Sequence, residues 1–436
     1  MSPAITPARG TTPVRRGPVL AWGFWDWGGA AYNAVILTFV FSVYLTDSVG
    51  RDLPGPIDAS AWLGYALGTA GLVIALAAPV IGQNADAGGH RKRSTTVWTV
   101  LTVVAMAGLF VVRDDDTYLW IGLLLLSLGS IFFELASVSY NAMLCQVSTP
   151  ENMGRISGFG WSMGYFGGIV LLLGVYTGLI AGDGDTRGLL GVPTDGGLNI
   201  RVVALVAAAW FLLFALPLFL RVPEVLPDPG RPARLGVVGS YRTLFTDLGA
   251  LYRRSPQTVF FLVASALFRD GLAAIFTFGA VLAVTVYGIG AGDVLIFGIA
   301  ANLVSAAGAL TGGWLEDRVG PKPVIVASLV GLIVDGAVLL FLSGPTSFWI
   351  SGLILTLFVG PAQSSSRTFL ARLAPDGREG QLFGLYATTG RAVSFLAPTL
   401  FGVFTSVFGA PRAGIVGILL VLVAGLVALL PVRAPS

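Results

Sequence analysis

The sequence predicts an all-α membrane protein: twelve transmembrane helices in two pseudo-symmetric six-helix bundles. Three observations carry that expectation. Hydrophobic residues make up 55% of the 436-residue chain and charged residues only 11%. A soluble domain carries about a quarter charged residues, so most of this surface must face lipid. Apolar stretches long enough to cross a hydrocarbon core of about 30 Å recur along the whole chain. Landmarks in the first half also return, in order, in the second. The 58 glycines suit the same class, because small residues let membrane helices approach closely.

The predicted spans lie near 19–46, 61–81, 95–113, 117–145, 156–181 and 198–221, then near 257–288, 293–315, 323–343, 347–372, 380–408 and 411–431. Residues 1–18, rich in Pro, Thr and Arg, read as a disordered cytoplasmic tail. The apolar run after it is longer than a signal-peptide core and lacks a convincing cleavage site, so no cleavable signal is expected. Residues 19–221 then form the first bundle and 257–436 the second. Between them, 222–256 is a cytoplasmic linker. It opens with Pro223, Pro227, Pro229 and Pro232, a spacing no helix tolerates. Tyr241, Leu244, Phe245, Leu248, Leu251 and Tyr252 follow at helical spacing, which fits either a helix lying on the inner leaflet or a linker packed on the protein itself.

Orientation follows from the placement of Lys and Arg in short loops. Arg15, Arg16, Arg91, Lys92, Arg93, Arg155, Arg221, Arg318, Lys322, Arg372 and Arg378 fall on one face, while the other collects Asp114, Asp115 and Asp116. Both termini are therefore expected in the cytoplasm of a multi-pass protein of the cell's inner (plasma) membrane. One cysteine (Cys145) and one histidine (His90) give no disulfide framework and no metal-ligand cluster. No phosphate-binding loop of an ATPase and no nucleophile–base pairing stands out. The sequence thus predicts no enzyme, no cofactor, no metal and no nucleic-acid partner. The expected partners are a small-molecule solute, the lipid bilayer and a coupling proton, handled by a monomer.

The repeat can be aligned by residue. Gly82-x-x-x-Asp86, after the second span, returns as Gly313-x-x-x-Asp317 after the eighth. Pro150-Glu151 returns as Pro375-Asp376, and Phe24-Trp25-Asp26 faces Phe268-Arg269-Asp270. Two six-helix halves imply a central pathway opened alternately as one half rocks on the other. Here the chain resembles a known family. GGWLEDRVGPKP (312–323) is similar to the signature loop of the major facilitator superfamily, and GQNADAGGHRKR (82–93) to its first-half partner, with Ala87 where the family usually has Arg. FWDWGGAAYNA (24–34), residues 140–168 and residues 363–386 resemble the vacuole-effluxer branch, which includes fungal vacuolar amino-acid exporters. The resemblance implies the major facilitator fold and a latch that holds the inner face shut. It assigns that latch to Gly82, Asp86, Arg91, Gly313, Asp317, Arg318 and Lys322, with Glu151, Arg155, Asp376 and Arg378 in the partner loops. The plainer reading of these residues is topology-setting charge.

An ionisable side chain at bilayer depth costs several kcal/mol unless paired or hydrated, which singles out Asp26, Glu134, Arg269, Asp270, Asp335, Arg367 and Arg391. Asp26 and Asn33 share a helix face, and Trp22 lies on the Asp26 side. Asp270 is the repeat partner of Asp26. Two such acids suit amine binding or proton coupling; the competing reading is permanent pairing with Arg269. Glu134 and Asn141 share a face of the fourth span. Arg391 suits a carboxylate or phosphate, or else an internal pair with Glu134 or Asp270. Arg367 reads as the more structural arginine. Two of the three tryptophans at 22, 25 and 27 are expected in an interfacial belt, with Trp22 and Tyr32 as cavity-lining candidates. The function these residues predict is secondary active transport of a small amphipathic or zwitterionic solute, amino acids among the candidates, with proton coupling. The alternatives are a broad efflux pump for apolar compounds and a non-transporting scaffold or receptor.

Overall fold

The computed structural model describes residues 16–54, 56–224, 239, 241–242, 246, 249, 252–253, 255–289 and 291–433. Its twelve spans are α1 (Arg16–Val49), α2 (Ala59–Ala87), α3 (Arg91–Val111), α4 (Asp116–Val147), α5 (Met153–Ile180), α6 (Asp195–Arg221), α7 (Pro256–Thr285), α8 (Ile296–Val319), α9 (Pro321–Leu339), α10 (Pro345–Leu373), α11 (Glu379–Phe408) and α12 (Pro411–Leu429). Both described chain ends lie on one face, called here the termini side; the other is the far side. The predicted tail falls outside the described residues, as does most of the 241–252 stripe. A short hairpin, Thr186–Arg187 with Val192–Pro193, sits between α5 and α6.

Spans α1–α6 form one bundle and α7–α12 the other. They meet along two seams, α2 on α11 and α5 on α8, with α10 closing against α5. Glycine makes those seams possible on the termini side. A methyl on Gly82 would overlap the Gly380 carbonyl, and one on Gly158 would overlap that of Ala309. Pro79 adds a further tie. It has no N–H to give the Ala75 carbonyl, and Thr388 of α11 donates its hydroxyl there at 2.8 Å.

Spans α1 and α11 depart from regular helix in ways that bear on the site. In α1 the turn widens to a π-helix over Ala31–Phe39 and breaks at Val40 (φ −120°, ψ −65°). The Thr38 hydroxyl bonds the Asn33 carbonyl within it (2.7 Å). Such widened turns are frequent at functional sites. Span α11 is discontinuous: Glu379–Val393, then Leu396–Phe408. Pro398 removes the donor that would bond the Ser394 carbonyl, and the amide of Ala397 is instead taken by the Asp270 carboxylate of α7 at 2.7 Å.

The expected interfacial tryptophan belt is not formed at the start of α1. Trp22 and Trp25 are fully buried. Both stack on Tyr140 of α4, with ring centroids 4.8 and 4.1 Å away, and the Trp25 indole donates to Thr99 (2.9 Å). Trp27 turns to Trp210 and Phe214 of α6. Glycines at 23, 28 and 29 let these aromatic helices close on α1, so the tryptophans serve helix packing.

Candidate functional site

The deepest charged cluster is assembled from both bundles around Arg367 of α10. Its guanidinium donates to the Ser157 hydroxyl (3.0 Å), the Ser157 carbonyl (2.6 Å) and the Asn141 side chain (3.2 Å). It lies 3.5 Å from the Asp26 carboxylate and over the Trp22 ring at 4.8 Å. Asp26 also accepts from the Tyr140 hydroxyl at 2.7 Å. An arginine with this many partners is geometrically fixed, and its planar fork suits the convergence of four helices. Arg367 is 6% exposed at its side chain, so it does not snorkel. It is the main tie between the halves at bilayer depth. It enters the first bundle against Ser157 of α5, whose hydroxyl and carbonyl both accept from it.

Seven residues from Asn141 along α4, about 10 Å toward the far side, Glu134 meets Arg391 of α11 at 3.3 Å. This second cross-bundle pair differs in kind. The side chains are 25% and 36% exposed, and the guanidinium has one protein partner among the described residues.

The other candidates stand apart. Asp270 is no second Asp26, because its carboxylate caps the broken α11 rather than facing an arginine. Arg269 stacks on Tyr386 (3.7 Å) and donates to its carbonyl (3.1 Å), so it pairs with neither acid. Tyr32 is buried, with its hydroxyl on the Leu126 carbonyl at 2.8 Å, and does not line a cavity. Asn33 is exposed on the widened turn of α1.

On the termini side the halves are closed by two unequal latches. Asp86 accepts from Arg91 (2.7 Å) and from the amides of Gly380 (3.1 Å) and Gln381 (2.8 Å), so it caps the start of α11. Arg91 reaches on to Glu379 of the second half. All three side chains of that triad are at least nine-tenths buried. In the mirror latch Asp317 takes the Gly154 amide (2.9 Å) at the start of α5 and the Arg155 guanidinium (2.6 Å). Arg155 is 59% exposed. A carboxylate at a helix N-terminus meets free amides and the positive dipole end together.

Three expected latch residues do other work. Arg318 lies on the Trp314 ring at 3.5 Å. Lys322 donates to the Leu430 (2.7 Å) and Val432 (2.6 Å) carbonyls, capping α12 within its own half. Glu151 is exposed, and the Thr149 hydroxyl beside it holds its pKa below the usual carboxylate range. Asp376 and Arg378 sit in the loop before α11, where Arg378 donates its amide to the Pro375 carbonyl (2.9 Å). Sequence reasoning missed Glu379, Tyr140 and Ser157. Glu379 carried one readable signal, an acid at the first position of a helix. It also missed Glu316, wholly buried with Arg372 3.7 Å away.

Among the described residues, the hydrogen bonds and ion pairs joining the halves lie between Glu134 and the termini side, so the polar closure between the halves is on that side. A far-side cavity of about 400 Å³, lined by Phe39, Tyr44, Asp47, Leu172, Tyr176 and Ile299 among others, is mainly apolar and distant from both arginine clusters. Chemistry, not size, marks the site, and the arginines carry it. No cluster of three or more His, Cys, Asp or Glu is gathered among the described residues.

A family profile described as "Vacuole effluxer Atg22 like" matches residues 46–436. The chain is 24% identical over 414 residues to an uncharacterized MFS-type transporter, YxiO, of Bacillus subtilis (strain 168), covering 94% of this chain and 93% of that one. It is also 24% identical over 298 residues to Autophagy-related protein 22 of Coccidioides immitis (strain RS), covering 62% of this chain and 47% of that protein. The chain thus spans about half the length of such fungal relatives. Among solved structures, the proton:xylose symporter XylE superposes with a TM-score of 0.72 at 13% identity, covering 94% of both chains. The transporter FucP in its outward conformation gives 0.72 at 14% identity, covering 95% of this chain and 98% of that one. The last two show the fold.

Proposed function

Because the chain belongs to the Atg22-like vacuole effluxer family, we propose that it moves a small zwitterionic or amphipathic solute, amino acids among the candidates, by proton-coupled alternating access. It is a multi-pass membrane transporter of the major facilitator type; the solute, the coupling ion and the direction are the proposal. The supporting observation is the Asp26–Arg367 contact, an acid of one half held by an arginine of the other at bilayer depth. Rocking the halves apart on the termini side must break it. Asp26 then loses its countercharge, which frees its carboxylate to exchange a proton or meet a solute cation in the pathway. The Lys and Arg bias supports a cytoplasmic termini side in the cell membrane, and a pathway enclosed by one chain supports action as a monomer.

The test is accumulation of radiolabelled amino acids in proteoliposomes under an imposed pH gradient. Asp26→Asn should abolish uphill accumulation while leaving downhill exchange. Uphill flux equal to wild type in that variant would sink the coupling role. A second reading has support in the apolar, aromatic far-side cavity: a broad efflux pump for apolar compounds. It requires that Arg391→Ala leave transport intact.

A further inference from the structure

We propose that the Glu134–Arg391 pair selects solutes by net charge, admitting a molecule that carries both a carboxylate and an ammonium group and rejecting singly charged ones. This rests on the transport reading above and deepens it.

The contrast between the two cavity arginines carries the inference. Arg367 spends its donors on Ser157, Asn141 and Asp26 and is closed off from water. Arg391 presents five N–H groups and has a single protein contact, at 3.3 Å, among the described residues. It is also the more open of the two, 36% exposed at its side chain. It occupies the last turn of the first half of the broken α11, where helix carbonyls favour a cation, and its stem passes Gly71 of α2 with ordinary contact room. Glu134, from the other bundle, is 25% exposed at its side chain. The pair is joined by a single hydrogen bond between two partly exposed side chains.

Electroneutrality then decides what can enter. A carboxylate alone can displace Glu134 from Arg391, but it leaves Glu134 as an uncompensated charge at bilayer depth. An ammonium alone leaves Arg391 in the same position. Stranding one member of a low-dielectric ion pair costs about a hundredfold or more in affinity. A zwitterion replaces both partners at once: its carboxylate takes Arg391 and its ammonium takes Glu134. The number of charge pairs is unchanged, and the bidentate fork of the arginine is filled.

Three probes sharing one alkyl chain isolate the charges: norvaline, pentanoate (norvaline without its amine) and butylamine (norvaline without its carboxylate). Thermal unfolding of the purified full-length protein reads binding, since a ligand of the folded state raises the melting temperature by mass action. For wild type we expect norvaline to raise it and the other two to leave it unmoved. Glu134→Gln should reverse the order, with pentanoate binding about tenfold or more better than norvaline, and Arg391→Gln should favour butylamine. The double variant Glu134→Gln/Arg391→Gln strands no charge, keeps the fold, and should bind none of the three. Pentanoate matching norvaline on wild type, no response to any probe, or an unchanged order in Glu134→Gln would each overturn the proposal. Norvaline binding with no accumulation in proteoliposomes would instead leave the charge selector standing and remove the transport reading.

Discussion

At the residue scale, identical letters in a repeat conceal different work. Asp26 and Asp270 align in the sequence, and on that basis both were expected to bind or couple. Their surroundings differ because α11 is broken and α5 is not: the break exposes an amide at Ala397, and Asp270 is drawn to it. No pattern in the neighbouring residues announces which acid meets an arginine. The glycines were more legible, since Gly82 and Gly313 stand where backbones must touch. Gly82→Val places a branched side chain against the Gly380 carbonyl. Overpacking of that kind costs about 1–3 kcal/mol, here charged only to the closed state. The prediction is a shift toward opening on the termini side, read by maleimide labelling of Cys145. That thiol, the single one in the chain, lies part-buried at the seam near the Ala371 carbonyl (4.0 Å). Labelling should quicken about tenfold; an unchanged rate would show that the seam has slack.

At the scale of elements, α1 and α11 both contain irregular stretches, and the residues the two clusters draw from them lie within or close to those stretches. The hydropathy of α11 runs on through Ser394 and Phe395, so the sequence reads one span from 380 to 408 and gives no sign of two. Pro398 is the physical hint, and it permits a break without requiring one. The Asp270 cap completes it. Asp270→Ala leaves the Ala397 amide without that acceptor, at a cost of about 0.5–2 kcal/mol by analogy with a lost helix cap. The expected outcome is a lower unfolding temperature with uphill accumulation retained. Loss of accumulation at unchanged stability would instead give Asp270 the coupling role it shares with Asp26 in the sequence.

At the scale of the molecule, the two latches are symmetric in plan and unequal in strength. Removing Arg91 leaves buried Asp86 without its cation and cuts the link to Glu379 across the halves, a loss of about 3–5 kcal/mol. Removing Arg155 deletes an exposed, screened contact worth about 0–1 kcal/mol, and Asp317 keeps the Gly154 amide. Arg91→Ala should therefore speed Cys145 labelling strongly and Arg155→Ala hardly at all. Equal effects would mean that the halves part along both seams together. Such inequality suits a gate that peels from the α5–α8 seam first.

What the sequence determined alone is the class, the twelve spans and the twofold plan. Lipid imposes one strong rule, that buried backbone be helical and its outside apolar, and that rule is written locally, residue by residue. The repeat is legible for the same reason, because a backbone contact such as Gly82 on Gly380 needs a particular residue at a particular place. Partnership is not local. Whether Arg367 reaches Asp26, whether Lys322 latches the halves or caps α12, and whether Arg391 stands half-empty depend on how ten-ångström displacements between helices bring distant letters together. Charge in a low-dielectric interior goes to the nearest available partner, and only the packed tertiary structure decides which one is nearest.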